Sequence, residues 1–252
     1  MKIISGLEKK IEIDTLDKWF KYCPPQKGEK QWKDLYSAKE MAKFWLSQKN
    51  QNDFQKFIKN IIPDFEYDYL IPEFESNFDN FGSPRKHDLF IAGTNNRAIV
   101  TIEGKANEPF GKNEFGTEFI NSIKTKIETP DSNKLNRIIN LYQNYFHSNG
   151  NSLVIMYQIL HWFAGSLIDA IKQSSENVVM VLQEFKNSNT DSDIVSVHHN
   201  DFDNFVEFIS EGKFKQIYNG QIIGPIENKY TDTKGEGVKK LYIGNYLVDL
   251  NY

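Results

Sequence analysis

Residues 87–111, HDLFIAGTNNRAIVTIEGKANEPFG, constrain this chain more than any other stretch, because they set three charged residues into an otherwise apolar hairpin. The three are Asp88, Glu103 and Lys105. Two short runs rich in Ile and Val, 89–92 and 98–102, flank Gly-Thr-Asn-Asn-Arg, whose Asn-Asn tolerates the positive φ of a tight turn. A turn centred on Asn95 and Asn96 pairs Ala92 with Ile99 and, further out, Asp88 with Glu103. Directly opposed Cβ atoms lie roughly 4.5–5.5 Å apart, and like charges placed there repel unless something neutralises them. Alternation along the strand then puts Lys105 on the face of Glu103 and turns Gly104 the other way.

A divalent cation resolves the conflict. Mg²⁺ takes one or two protein carboxylates, keeps several waters and reaches phosphate oxygens through its remaining positions. The lysine then serves as a point charge beside the metal-bound water or the scissile phosphate. The plainer alternative is that Asp88 and Lys105 end their strands and pair with solvent or with each other, since an E-x-K triplet alone specifies little. The opposed aspartate is what favours the metal.

With Asp88 as first acid and Glu103-Gly104-Lys105 as the second half, the chain resembles the PD-(D/E)xK superfamily of restriction-endonuclease-like nucleases. EGKANEPFG, the preceding SPRKHDLF and the later YQILH look more narrowly like an uncharacterised bacterial family placed in that superfamily, over about residues 35–210. His87 stands where the superfamily pattern has Pro, a position that is lax across it. The resemblance implies an α-β-β-β-α-β core, with a mixed β-sheet flanked by helices. It also implies Mg²⁺- or Mn²⁺-dependent cleavage of phosphodiesters, with DNA as the expected substrate. An extra upstream acid completes the metal shell in many such nucleases, which makes Glu73 a candidate third carboxylate. Its alternative is a solvent-facing acid in an acidic stretch with Glu75 and Asp79. Restriction-type enzymes often dimerise to cut both strands, so a homodimer is compatible, although no segment announces an interface.

The 252 residues suit one α/β domain with peripheral additions. We read 1–33 as an ancillary arm, 34–214 as the nuclease-like domain and 215–252 as a C-terminal hairpin extension packed on it. A single cysteine, Cys23, excludes an intrachain disulfide and favours a cytoplasmic setting. The first residues carry too short an apolar run for a signal peptide, and no stretch is apolar enough to be expected in a membrane. Net charge is −4, yet residues 1–60 hold 13 Lys against 8 Asp/Glu. That basic segment could track a phosphate backbone, or could equally be a solvated helical face.

Along the chain, Ser37-Ala38-Lys39-Glu40 has capping-box spacing ahead of a helix starting near Ala38, and a second helix is expected over 53–61. A strand over 67–74 must bend or lie at an edge because of Pro72. Pro109 and Gly111 end the hairpin strand near Ala106, leaving Glu108 close enough to reach the metal, orient Lys105 or cap the next helix. Helices follow over 114–126 and 132–146. The second has a core stripe of Leu135, Ile138, Ile139, Tyr142 and Tyr145, with Lys134 and Arg137 expected in solvent. In the long apolar helix 153–172, Gln158 and His161 share one face and either line the cleft or are satisfied within the core. The run 178–185 reads as a buried central strand. Residues 194–198 read as a short peripheral strand, with His198 and His199 on opposite sides and therefore no joint metal site. A last helix is expected over 202–214, and Gly244-Asn245 is expected to turn a C-terminal hairpin.

The leading expectation is a metal-dependent nuclease in which Asp88, Glu103 and Lys105 carry the chemistry. Asp88, Glu103 and Glu73 would hold the metal, with Glu108, Gln158 and His161 around them. The other expectations are a nuclease-like binding or regulatory module that cleaves nothing, and a hydrolase of another phosphoester. Net acidity and the lack of an obvious basic, aromatic-interleaved groove favour the binding module.

Overall fold

The computed structural model describes residues 2–146, 152–232 and 235–251. In chain order the elements are β1 (Lys2–Ile3), α1 (Leu16–Tyr22), α2 (Ser37–Trp45), α3 (Gln48–Lys59), β2 (Tyr67–Ser76), β3 (Arg85–Gly93) and β4 (Ala98–Lys105). They continue with α4 (Phe115–Glu128), α5 (Lys134–Tyr145), α6 (Tyr157–Lys172), β5 (Asn177–Lys186), α7 (Ser192–Ile209), β6 (Ile222–Asp232) and β7 (Gly235–Asp249).

One mixed seven-stranded sheet, in the order β1-β2-β3-β4-β5-β7-β6, runs through the molecule. Its centre is parallel, β4 against β5 and β5 against β7, while β2-β3-β4 form antiparallel hairpins. Every residue of β4 is buried, as expected where helices cover both faces of a parallel pair. Alternating side chains feed two cores. Phe90, Ile99 and Met180 pack with Trp162, Phe163 and Phe205 of α6 and α7, whereas Leu89, Val100 and Val181 pack with Trp45, Phe54 and Ile58 of α2 and α3. The chain is therefore a mixed α/β protein with helices on both faces of its sheet. Among the described residues, no helix is long and apolar enough to cross a membrane.

Several expected details differ. Glu40 does not cap its own helix in a box with Ser37; its Oε1 accepts from Leu35 N–H (2.9 Å), while Ser37 N–H turns to Glu108. In α5 the buried stripe is Ile138, Leu141 and Tyr145, whereas Ile139 and Tyr142 are exposed. Arg137 is not in solvent but forks onto the buried carboxylate of Asp79. Residues 194–198 are not a strand. They belong to α7, whose N-cap Asp191 accepts from Asp193 N–H, so the cap outweighs the β-branched Ile-Val-Ser-Val run. Gly244-Asn245 is not a turn either, because both lie inside β7 and pair with Val181 and Leu182 of β5. A side chain at Gly244 would meet the Phe57 ring at 3.2 Å, and this packing explains the glycine better than a bend does.

Candidate functional site

The register drawn from the turn is present: Asn95 and Asn96 both have positive φ (55° and 54°), and Leu89 pairs with Ile102. One step further out, Asp88 and Glu103 reach the open end of the hairpin, where a cavity of about 710 Å³ begins. Glu73, Asp88, Glu103 and Lys105 line it on the sheet side. Glu108, Gln158 and His161 line it from the following loop and from α6, so all seven sequence-chosen residues come to one place.

The backbone breaks its own alternation here. Phe74 and His87 are cross-strand partners, and by the parity of Leu70, Leu89 and Ile91 they belong on the α2/α3 side. Instead, Phe74 stacks on Phe90 at 4.3 Å, and His87 Nε2 donates to Asp169 Oδ2 on α6 (3.0 Å). The break sits at Glu73, whose φ is +50°, a left-handed conformation uncommon for a non-glycine residue. It follows Pro72, so the strand bends there rather than being displaced to an edge. Glu73 is itself unpaired in the ladder but lies between the pairs Pro72–Leu89 and Phe74–His87, level with Asp88, so that Asp88 has an acid on each neighbouring strand.

The charges are unevenly satisfied. Glu103, buried, accepts from Lys105 Nζ (3.0 Å), Gln158 Nε2 and Arg85 Nη2. Burial pushes its pKa up, but the Arg85 and Lys105 charges outweigh that and hold it below the usual carboxylate value. Among the described residues, Asp88 has the Gly104 N–H, at 2.8 Å, as its one hydrogen-bond donor. Burial, and then the Glu103 charge, push its carboxyl to about 7. Glu73 rises to about 8 through burial and the facing Asp88. Two half-buried acids thus lack neutralising partners beside a third that has a surplus.

The neighbouring side chains are fixed. Lys105 Nζ lies 4.9 Å above the Phe110 ring. Glu108 Oε1 accepts from Ser37 N–H (3.3 Å), tying the loop after β4 to α2. His161 stacks on Tyr157 and meets Phe78 edge-on, with Nε2 buried and without a hydrogen-bond partner among the described residues. Burial, reinforced by Arg85, holds its pKa well below the ordinary value, so it stands neutral.

Two groups were not read from the sequence. Arg85, one-tenth exposed, is the buried partner of Glu103, and no local pattern in Ser-Pro-Arg-Lys marks it. His198 and His199 converge on buried Glu184 of β5, at 3.7 and 2.9 Å, although neighbouring positions on a strand would have separated them. His198 Nε2 also donates to the Glu108 carbonyl, so this cluster buttresses the loop beside Lys105.

Among the described residues, no group of three or more His, Cys, Asp or Glu is arranged to hold a metal ion. Asp88 and Glu73 nonetheless suit a hard divalent cation, which takes oxygen ligands and needs only one or two protein carboxylates. Burial, and after it the neighbouring acids, raise both pKa values and favour the neutral forms, which a bound cation would reverse. Glu103 could join them once its cationic partners move.

The family model of a domain of unknown function, DUF6946, matches residues 12–244, and the chain belongs to that family. No curated protein and no solved structure matches it.

Proposed function

We propose that this member of the DUF6946 family is a metal-dependent nuclease that hydrolyses phosphodiester bonds in DNA, built on a restriction-endonuclease-like sheet. One observation carries the reading. Asp88 and Glu73, two acids pushed towards neutral pH, face each other in one cavity with Glu103 and Lys105. A bound Mg²⁺ or Mn²⁺ would supply an activated water and polarise the phosphate. Asp88 and Glu73 would hold it, joined by Glu103. Lys105, anchored over Phe110 and by Glu103, keeps a positive charge where the phosphate would gain negative charge. Glu108 and Gln158 orient Ser37 and Glu103 around it, and neutral His161 closes the α6 wall.

A second reading is a nucleic-acid-binding or regulatory module without cleavage. It is favoured by the donors that already occupy both oxygens of Glu103. The deciding experiment incubates the protein with supercoiled, linear and single-stranded DNA and with RNA, with Mg²⁺, with Mn²⁺ or with chelator. Glu103→Gln and Lys105→Ala run alongside. Metal-dependent cleavage that both variants lose supports the nuclease; binding with every substrate left intact supports the module.

A further inference from the structure

Arg85 has no role in the chemistry proposed for Asp88, Glu103 and Lys105, yet it is a second buried cation at the site. It opens β3 three residues before Asp88, is nine-tenths buried and lines the same cavity. Its Nη2 holds Glu103 Oε2, while its Nε is buried without a hydrogen-bond partner among the described residues. Lys105 already sets one positive charge on the other oxygen of Glu103, beside the neutral Gln158 amide, so Arg85 brings a second cation to a single acid. The guanidinium is therefore a surplus charge, held in place by one acid and only partly hydrogen-bonded.

A divalent cation bound to Glu103 would compete with this arrangement. Mg²⁺ sits about 2.0–2.1 Å from each oxygen ligand, and Arg85 occupies one of the two oxygens it would use. A dication and a guanidinium on one carboxylate repel strongly in so buried a place. The charges then count out simply. With Glu73, Asp88 and Glu103 ionised, a dication and Lys105 balance the three acids. Lys86 and Glu75, on the rim, pair with each other at 3.8 Å. Lys27, Glu108 and Lys112 also line the cavity; of the charges gathered directly on Glu103, that of Arg85 is left over, on a planar fork that matches phosphate oxygens bidentately. A phosphodiester carries one negative charge per phosphate.

We propose that Arg85 is the phosphate-engaging residue of this site: it guards Glu103 while the cation is absent and turns to a phosphodiester oxygen when the cation arrives. The inference rests on the nuclease reading and deepens it by naming the residue that engages the diester, whose single charge Arg85 matches.

The test measures Mn²⁺ affinity, from the electron paramagnetic resonance signal of free Mn²⁺, for wild type, Arg85→Gln and Arg85→Lys. It then measures the affinity of each for a short fluorescent DNA strand with Mn²⁺ present; circular dichroism confirms the fold. Expected results are at least fivefold tighter Mn²⁺ binding by Arg85→Gln together with at least fivefold weaker DNA binding. Arg85→Lys, which keeps the charge and loses the fork, should hold Mn²⁺ as wild type does and bind DNA more weakly. Unchanged or weaker Mn²⁺ binding by Arg85→Gln, where wild type does bind Mn²⁺, overturns the inference and leaves the metal site standing. Tighter Mn²⁺ binding with DNA affinity unchanged in both variants overturns the phosphate assignment. No Mn²⁺ binding by wild type overturns the metal site and the inference together. Should Arg85→Gln not fold, Arg85→Lys decides: DNA affinity equal to wild type overturns the proposal.

Discussion

Replacing Glu103 by Gln removes the one negative charge that two buried cations share. Glu103, Lys105 and Arg85 are 2%, 5% and 9% exposed, so solvent cannot take over the compensation. A charge pair near 4 Å is worth about 4 kcal/mol at an effective dielectric constant of about 20, before desolvation is subtracted. Breaking a buried ion pair by deleting one partner typically costs about 3–5 kcal/mol. The amide oxygen of Gln can still accept one hydrogen bond. In addition, Asp88, relieved of repulsion from Glu103, ionises more readily and returns part of the lost negative charge. The expected loss is therefore about 3 kcal/mol, read from urea unfolding at neutral pH in the presence of chelator. In a double-mutant cycle, Arg85→Gln with Glu103→Gln should cost less than the two single losses added together, because the second change removes a cation that the first left stranded. A loss below about 1 kcal/mol for Glu103→Gln, or strict additivity in the cycle, refutes the claim that Glu103 is the electrostatic keystone of the cavity.

The cluster at Glu184 sets a pH window. Burial raises the Glu184 pKa, but His198 at 3.7 Å and His199 at 2.9 Å, together with the His199 charge, bring it down to about 2. Its stabilisation is present above the ordinary carboxylate pKa and is lost as pH falls towards 2. The hydrogen bond to Glu184 raises the His199 pKa, so that part is present below its ordinary value and is lost as pH rises through the raised one. Glu184→Gln should cost about 2–3 kcal/mol between roughly pH 4.5 and 6.5 and less on either side, measured as the difference in unfolding free energy across pH. Trp45→Phe should cost about 1–3 kcal/mol in the same assay, because Trp45 Nε1 donates to buried Gln183 Oε1 at 3.0 Å and the variant leaves that oxygen unpaired.

The hairpin was readable because its information is local. Asn95-Asn96 fixes the turn, the turn fixes the register, and the register places Asp88 and Glu103 together at one end. The central strand 178–185 was equally plain, since only a strand covered on both faces needs so unbroken an apolar run. What failed to show shares a cause. Gly244-Asn245 has the composition of a turn, but it is glycine for the sake of Phe57 and asparagine for the sake of Glu184, residues far away in sequence. His198 and His199 looked divergent because the backbone assigned to them was wrong. On a helix, adjacent residues lie about 100° apart, and both rings reach one acid.

Arg85 presents the sharper case. In sequence it is one basic residue in a polar link ahead of a strand, and its neighbour Lys86 is indeed half-exposed. Its burial follows from Glu103, 18 residues later, which draws a second cation from the adjacent strand beside the Lys105 of its own. Glu73 shows the same dependence on context: its left-handed backbone is paid for by freeing Phe74 and His87 to pack beneath the site. The strained residue and the over-neutralised acid therefore lie on either side of Asp88, whose carboxylate accepts from Gly104 N–H. Such a gradient, from too many donors at Glu103 to too few at Asp88 and Glu73, gives an incoming dication a direction. It would bind first between the two under-compensated acids and reach Glu103 only by displacing Arg85.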